Sequence, residues 1–255
     1  FQFNNIIKYD KLLMTNESIN QIDIEKELLN DDKVENFTNV NTQNIKVLFN
    51  DEEQEVTMIT PDDFNSISKS ISLIDLKTNN IIDNISDNSC IISEKTAKLL
   101  DIDVGDKISL FDNNKYDINV SYIIKNYINQ YLYINKNTYN NLFNNYKINS
   151  VLISLKDKDK NSKEFDKKYI SNGYALTIVD NDDMKNSMND MLGSIDSIVA
   201  ILIIAAASLA FVVLYNLSNI NISERKREIA TLKVLGFYPS EVDKYINRET
   251  VLLTI

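Results

Sequence analysis

Residues 198–217 read IVAILIIAAASLAFVVLYNL, and only Ser208, Tyr215 and Asn216 among them carry a polar group. The charge-free window is wider still, since no Asp, Glu, Lys or Arg stands between Asp196 and Glu224. Twenty residues of α-helix rise about 30 Å, the thickness of a bilayer's hydrocarbon core. A central helix of a large soluble domain reaches that length but rarely stays uncharged along it. The run Ala205, Ala206, Ala207, Ser208 and Ala210 lets another helix approach closely. Tyr215 stands where an interfacial aromatic belongs. The segment reads as a transmembrane helix.

Charge is distributed unevenly about this helix. Every arginine in the chain (Arg225, Arg227, Arg248) follows it. From Glu224 onward six basic residues stand against five acidic, a net +1, whereas the first 223 residues carry 21 against 32, a net −11. Basic residues just beyond a span mark its cytoplasmic end. Arg225, Lys226 and Arg227 therefore place residues 1–190 outside the cytoplasm. A domain so acidic repels nucleic acid and anionic membrane surfaces.

The chemical inventory is poor for an enzyme. The chain has no histidine and one cysteine, Cys90, so general-base chemistry by imidazole and thiolate metal clusters are excluded. No GxxxxGK[ST] motif is present, so no P-loop hydrolyses nucleotide here. The acidic pairs Glu52–Glu53 and Asp62–Asp63 lack EF-hand spacing and read as solvated turns. No catalytic residue, metal site or cofactor is expected. The 36 asparagines are assigned no structural meaning. The opening FQFNNIIKYD and the closing VLLTI, an apolar run, read as the edges of a piece of a longer protein.

Upstream of the span, Met184, Met188, Met191, Ile195, Ile198 and Leu202 recur at spacings of 4, 3, 4, 3 and 4. That is the seam of a helix packed lengthwise on another, a stalk whose weak point is Gly193. Downstream, Ser223 is placed to cap a short helix carrying Glu224–Arg227 and Arg225–Glu228 pairs, with Ile229, Leu232 and Leu235 as its apolar edge. Gly236 suits the left-handed residue that ends helices. Ser240-x-x-Asp243 resembles a capping box. From Val242 the chain again grows apolar, as a second span does on entering from the cytoplasm.

The run LYNLSNINISERKREIATLKVLGFYPSEVDKYINRETVLLTI resembles the FtsX/MacB-type permeases of ABC transporters, in which an E-R-x-R-E-I-[AG]-x-x-[KR]-x-x-G block follows the second span of a four-span unit. Glu224, Arg225, Arg227, Glu228, Ile229, Ala230, Lys233 and Gly236 carry the likeness. It implies that Glu224, Arg225, Arg227, Glu228, Lys233 and Gly236 face a cytoplasmic ABC ATPase subunit.

The first 180 residues read as mixed α and β. Ile19, Ile22, Leu28 and Leu29 mark a helix, and Ile45–Phe49 and Glu55–Ile59 are strands about an acidic turn. SEKTAKLL (93–100) is a short capped helix, followed by a turn at Val104-Gly105-Asp106 and a strand at Lys107–Phe111. Asp112–Lys115 signals a hairpin before the alternating Tyr116, Ile118, Val120 and Tyr122. Later strands fall at Tyr131–Ile134, Val151–Leu155 and Tyr174–Val179, and DKDKNSKE (157–164) is a solvated loop. Tyr127, Tyr131 and Tyr133 form either an exposed binding face or, by their alternation, sheet packing. The stretch CIISEKTAKLLDIDVGDKISL resembles the MacB-like extracytoplasmic domain of the same permeases, which lies between a first and a second span.

The fold class expected is an α+β extracytoplasmic domain joined by a helical stalk to transmembrane α-helices. Its parts are 1–181 (domain), 182–197 (stalk), 198–222 (span), 223–247 (cytoplasmic coupling segment) and 248–255 (start of the next span). The resemblance implies a multi-pass protein of the bacterial cell (plasma) membrane that couples ATP hydrolysis by a partner to movement outside. Its partners are the ATPase, a second permease half or protomer, an extracytoplasmic protein and lipid, with no nucleic acid. The competing reading is a membrane sensor that binds a ligand outside and signals through its helix. The charge asymmetry sets a first test. A membrane-impermeant thiol reagent should label a cysteine placed at residue 160 in intact cells and not one at residue 226; labelling at 226 alone overturns the orientation.

Overall fold

The computed structural model describes residues 6–242 except 17, 18, 127 and 128, together with Lys244 and Arg248; the side chains at 159, 184, 188, 189, 192, 221 and 222 lie outside the description. The chain divides into two units, Phe1–Ser187 and Met188–Ile255.

The first unit is organised by one long strand. Strand β1 (Lys11–Thr15) leads to helix α1 (Gln21–Asn30) and then to β2 (Val34–Phe49), sixteen residues long. The lower half of β2 pairs antiparallel with β8 (Ser150–Leu155), Phe37 opposite Ile153, and its upper half pairs with β5 (Lys107–Phe111), Val47 opposite Leu110. A two-residue hairpin turns β2 into β3 (Glu52–Pro61), Phe49 facing Glu52. Both turn residues, Asn50 (φ 49°) and Asp51 (φ 65°), are left-handed, as the favoured hairpin geometry demands.

Beyond that hairpin lie β4 (Ser89–Ser93), α2 (Glu94–Leu100), β6 (Lys115–Ile124), β7 (Tyr131–Tyr133) and α3 (Lys136–Phe143). Strands β2, β3, β7, β4, β6 and β5 pair in a closed ring, β3 with β7 and β4 with β6 in parallel. The core here contains Val47, Val56, Met58, Ile92, Ile108, Leu110, Ile118, Val120 and Leu132, as a small barrel filled by its own side chains requires. Ser93 Oγ caps α2 by accepting from Thr96 N–H.

After β8, α4 (Lys158–Ser171) returns the chain to β9 (Ala175–Asp180). The strand order β9-β1-β8-β2 is antiparallel throughout. With α1 and α4 as crossovers, these four strands form two interleaved split β-α-β units. The barrel is inserted between β2 and β8. Leu13, Val151 and Ile153 of the sheet pack with Ile24 and Leu28 of α1 and with Phe165 and Tyr169 of α4.

The elements expected from sequence are present, with β2 starting eleven residues earlier than expected and β3 and β6 running a few residues longer. The loop expected at 157–164 is instead the first half of α4. Its apolar stripe is narrow, Phe165 and Tyr169 with rings stacked at 4.2 Å, so the periodicity is almost invisible. Several of its charges are paired: Lys33 with Glu164, and Lys168 with Glu27 and Asp31. The early helix is confirmed, but Ile22 and Leu29 face solvent and Ile24 and Leu28 form its inner face. Tyr133 is buried and Tyr131 packs beside it, which favours sheet packing; Tyr127 lies outside the described residues.

In the second unit the main element is α5, which begins at Asn181 within the first unit and runs to Glu224. It passes through Gly193 without a break, and Gly193–Ile220 is long and apolar enough to cross a membrane. None of its most apolar stretch is buried, so it is not a core helix of the described chain. Helix α6 (Lys226–Val234) follows a break at Arg225.

The reassignment of 157–164 has a direct consequence. Lys163→Pro, at an exposed position within α4, should lower the stability of the domain by about 3 kcal/mol in a denaturant titration, because the helix loses a backbone bond and gains a clash. A loop would tolerate the change.

Candidate functional site

The stretch after α5, where the coupling segment is expected, is a helix-break-helix. Ser223 does not cap α6, because α5 continues through it; Arg225 (φ −96°, ψ 12°) holds the cap position and makes no side-chain cap bond. Glu224 thus closes one helix while Arg227 lies in the next, and the expected Glu224–Arg227 pair is not among the ion pairs of the described residues. Arg227 and Glu228 lie exposed in the first turn of α6, and Lys233 lies exposed in its last. Gly236 is left-handed (φ +90°), its N–H donating to Lys233 O and that of Phe237 to Leu232 O, which is a Schellman closure.

The next helical turn starts at Pro239, the position proline favours. The capping residue is Glu241, whose Oε2 accepts from Tyr238 N–H at 3.0 Å. This replaces the Ser240-x-x-Asp243 box, since Ser240 already lies inside the helix; Asp243 is outside the described residues. Exposed Val234, Leu235, Phe237 and Tyr238 form the corner between the helices. Residues 249–255, where the next span is expected, also lie outside the described residues, Arg248 excepted. On the stalk, Met191 and Ile195 are 69% and 51% exposed, and the side chains of Met184 and Met188 lie outside the description.

A second polar constellation, not anticipated from sequence, sits where α5 begins. No loop separates it from the sheet: Asp180 ends β9 and Asn181 starts the helix. Lys11 of β1, with a fully buried side chain, reaches Asp180 Oδ2 at 2.8 Å and Asp166 of α4 at 2.9 Å. Asp180 Oδ1 accepts from Asp182 N–H (2.8 Å), capping the helix, and its Oδ2 accepts from Ser162 Oγ (3.1 Å). Lys158 bridges Asp10 (2.9 Å) and Asp182 (2.8 Å).

Desolvation alone would raise the Asp180 carboxyl, but the bonds from Lys11, Asp182 N–H and Ser162 outweigh it and hold the group below the usual carboxylate range. Burial likewise works against the Lys158 ammonium, and Asp182 and Asp10 more than compensate, so its proton is held more tightly than in a free lysine. The only sequence hints were a lysine at an inward position of an apolar strand and the acidic run Asp180, Asp182, Asp183 ahead of a helix. Asp182 and Asp183 in the first turn also favour the helix dipole.

Among the described residues no group of histidine, cysteine or carboxylate side chains is arranged to hold a metal, and Cys90 is buried, with its thiol pushed far up by desolvation.

Residues 200–255 match the family model described as FtsX-like permease C-terminal. The match covers the last part of α5, α6 and the residues beyond. No curated protein matches the chain. Among solved structures the chain is similar to the extracellular domain of the noncanonic ABC-type transporter YknZ from Gram-positive bacteria, at 15% identity and a TM-score of 0.44, covering 67% of this chain and 97% of that one. It is also similar to the periplasmic region of MacB from Actinobacillus actinomycetemcomitans, at 13% identity and a TM-score of 0.45, covering 71% and 92%.

The Asp180 cluster predicts an acid limb of stability. A carboxylate held below its unfolded value contributes stability that is full above the ordinary carboxylate range and is lost as pH falls through the lower folded value. Asp180→Asn should lower the melting temperature at neutral pH and flatten its fall on acidification. Asp31, held low by Lys168, Lys33 N–H and Tyr169 against its own desolvation, keeps part of that fall.

Proposed function

We propose that this chain is part of the permease subunit of an ABC transporter of the FtsX-like class, with an outer α+β domain moved by a cytoplasmic ATPase. The family match over 200–255 carries the reading, because it falls on the exposed apolar helix of the described residues and on the helix-break-helix after it. Basic residues at that break support placing the cytoplasm on that side.

The ends of the first unit support the same arrangement. Asn181 N–H donates to Asp10 O at 2.8 Å, and β1 and β9 are neighbours with Lys11 opposite Asp180. The outer α+β unit thus has its first strand beside its last, where α5 begins. In this reading the permease supplies no catalysis; the ATPase hydrolyses nucleotide and α5 carries displacement outward.

Arg227 and Glu228 are the residues to test, since both are exposed and bear opposite charge on one short helix. An exposed pair on a helix surface contributes only about 0.3–0.5 kcal/mol to that helix, whereas breaking a buried interfacial charge pair costs about 2–5 kcal/mol of binding. Arg227→Glu and Glu228→Lys should each abolish co-purification of the ATPase while leaving the membrane level of the protein unchanged. Arg227→Lys should weaken it, because lysine cannot reproduce a bidentate fork. Normal co-purification and normal stimulated ATPase activity in both reversals would sink the coupling role.

A further inference from the structure

We infer that Lys11, Asp180 and Lys158 are positioning residues that lock the root of α5 into the outer domain, so that a displacement carried by the helix moves that domain as a body. The inference rests on the reading above and adds to it the joint through which movement must pass.

Three sides of the root are held by directional bonds. From the segment that enters β1, Asp10 O accepts from Asn181 N–H at 2.8 Å and Tyr9 O from Asn181 Nδ2 at 3.4 Å. From the sheet, Lys11 is bonded to Asp180, whose other oxygen caps the helix. From α4, Lys158 reaches Asp182 in the helix's first turn and Asp10 in the strand entry at once, and Ser162 reaches Asp180. Asp10 is itself tied into β8, its Oδ2 accepting from Leu155 N–H at 2.8 Å. The segment entering β1, β1 itself and α4 thus converge on residues 180–182, with β8 behind Asp10.

Such a root differs from an apolar one in a way that matters for force. Apolar contacts are non-directional and permit sliding and rotation, whereas charged hydrogen bonds fix register and angle. An apolar residue in place of a buried ion pair commonly folds as well or better. Stability alone therefore does not require a lysine with a fully buried side chain between two carboxylates. A joint that must not slip does.

The test uses the full-length protein in lipid nanodiscs with the ATPase that co-purifies with it, and reads backbone hydrogen exchange with and without a non-hydrolysable ATP analogue. Lys158→Met removes the bridge between Asp10 and Asp182, and Lys158→Arg retains a cation there. Lys46→Met removes an ion pair with Glu53 on the β2–β3 hairpin of the same domain as a control. The expected result for Lys158→Met is exchange over 181–187 faster by roughly tenfold. Its melting temperature should stay within a few degrees of wild type, and the nucleotide-dependent change in the barrel strands should be lost. Lys158→Arg and Lys46→Met should keep that change. Wild-type exchange at the root, or a wild-type nucleotide response, in Lys158→Met overturns the inference. A wild-type protein that shows no nucleotide response, while the root of Lys158→Met loosens as expected, overturns the functional reading, and the inference falls with it.

Discussion

An apolar helix that no described residue covers is the constraint on which the rest of this protein depends. Between Gly193 and Ile220 the side chains point outward all round; Phe211, for instance, is 70% exposed. Leaving a large apolar side chain in water rather than burying it costs about 1.5–3 kcal/mol, and more than a dozen are aligned here. No arrangement of the described residues relieves that cost, and a bilayer does. The rest of the chain's charge follows suit, with acid on one side of the helix and arginine on the other.

Within the first unit, the corresponding organiser is β2. Because it serves both the split β-α-β sheet and the barrel, its register aligns two cores at once: Val40 packs with Ile59 and Leu152, while Ile45 and Val47 belong to the barrel. A one-residue slip would turn both sets of side chains outward. The topology also brings the first and last strands together, which is why a single polar cluster can grip the helix root from both chain ends.

How legible this was depended on where the physics was local. Hairpins, the Ser93 cap and the Gly236 closure are set by a few adjacent residues and were read correctly from them. Helix α4 was not, because its stability comes from Phe165 and Tyr169 packing on a sheet assembled from distant segments, and from ion pairs to Asp31 and Lys33. Strand β1 escaped notice because a lysine occupies its core-facing position, and only the fold supplies the two carboxylates that make this tolerable. The asparagines have a structural use that their abundance does not reveal. With four glycines in 255 residues, the chain uses Asn50, Asn79, Asn88, Asn144 and Asn145, together with Asp51, Asp101 and Asp157, at left-handed positions. The residues around the break at Arg225 are the opposite case. Their family likeness was plain, yet the break at Arg225 depends on how one helix ends and the next begins, and the capping signal at Ser223 pointed to the wrong residue.

The central claim is that α5 crosses a lipid bilayer. It is tested most directly by single spin labels placed in turn along 198–217 in the full-length protein in liposomes, with collision rates measured against oxygen and against a water-soluble nickel complex. Oxygen accessibility should rise to a maximum near Ser208, with nickel accessibility falling to a minimum there, because oxygen concentrates in the hydrocarbon centre and the polar reagent is excluded. High nickel accessibility along the whole segment, or protection from both reagents at every position, would contradict a membrane-spanning helix and with it the whole account.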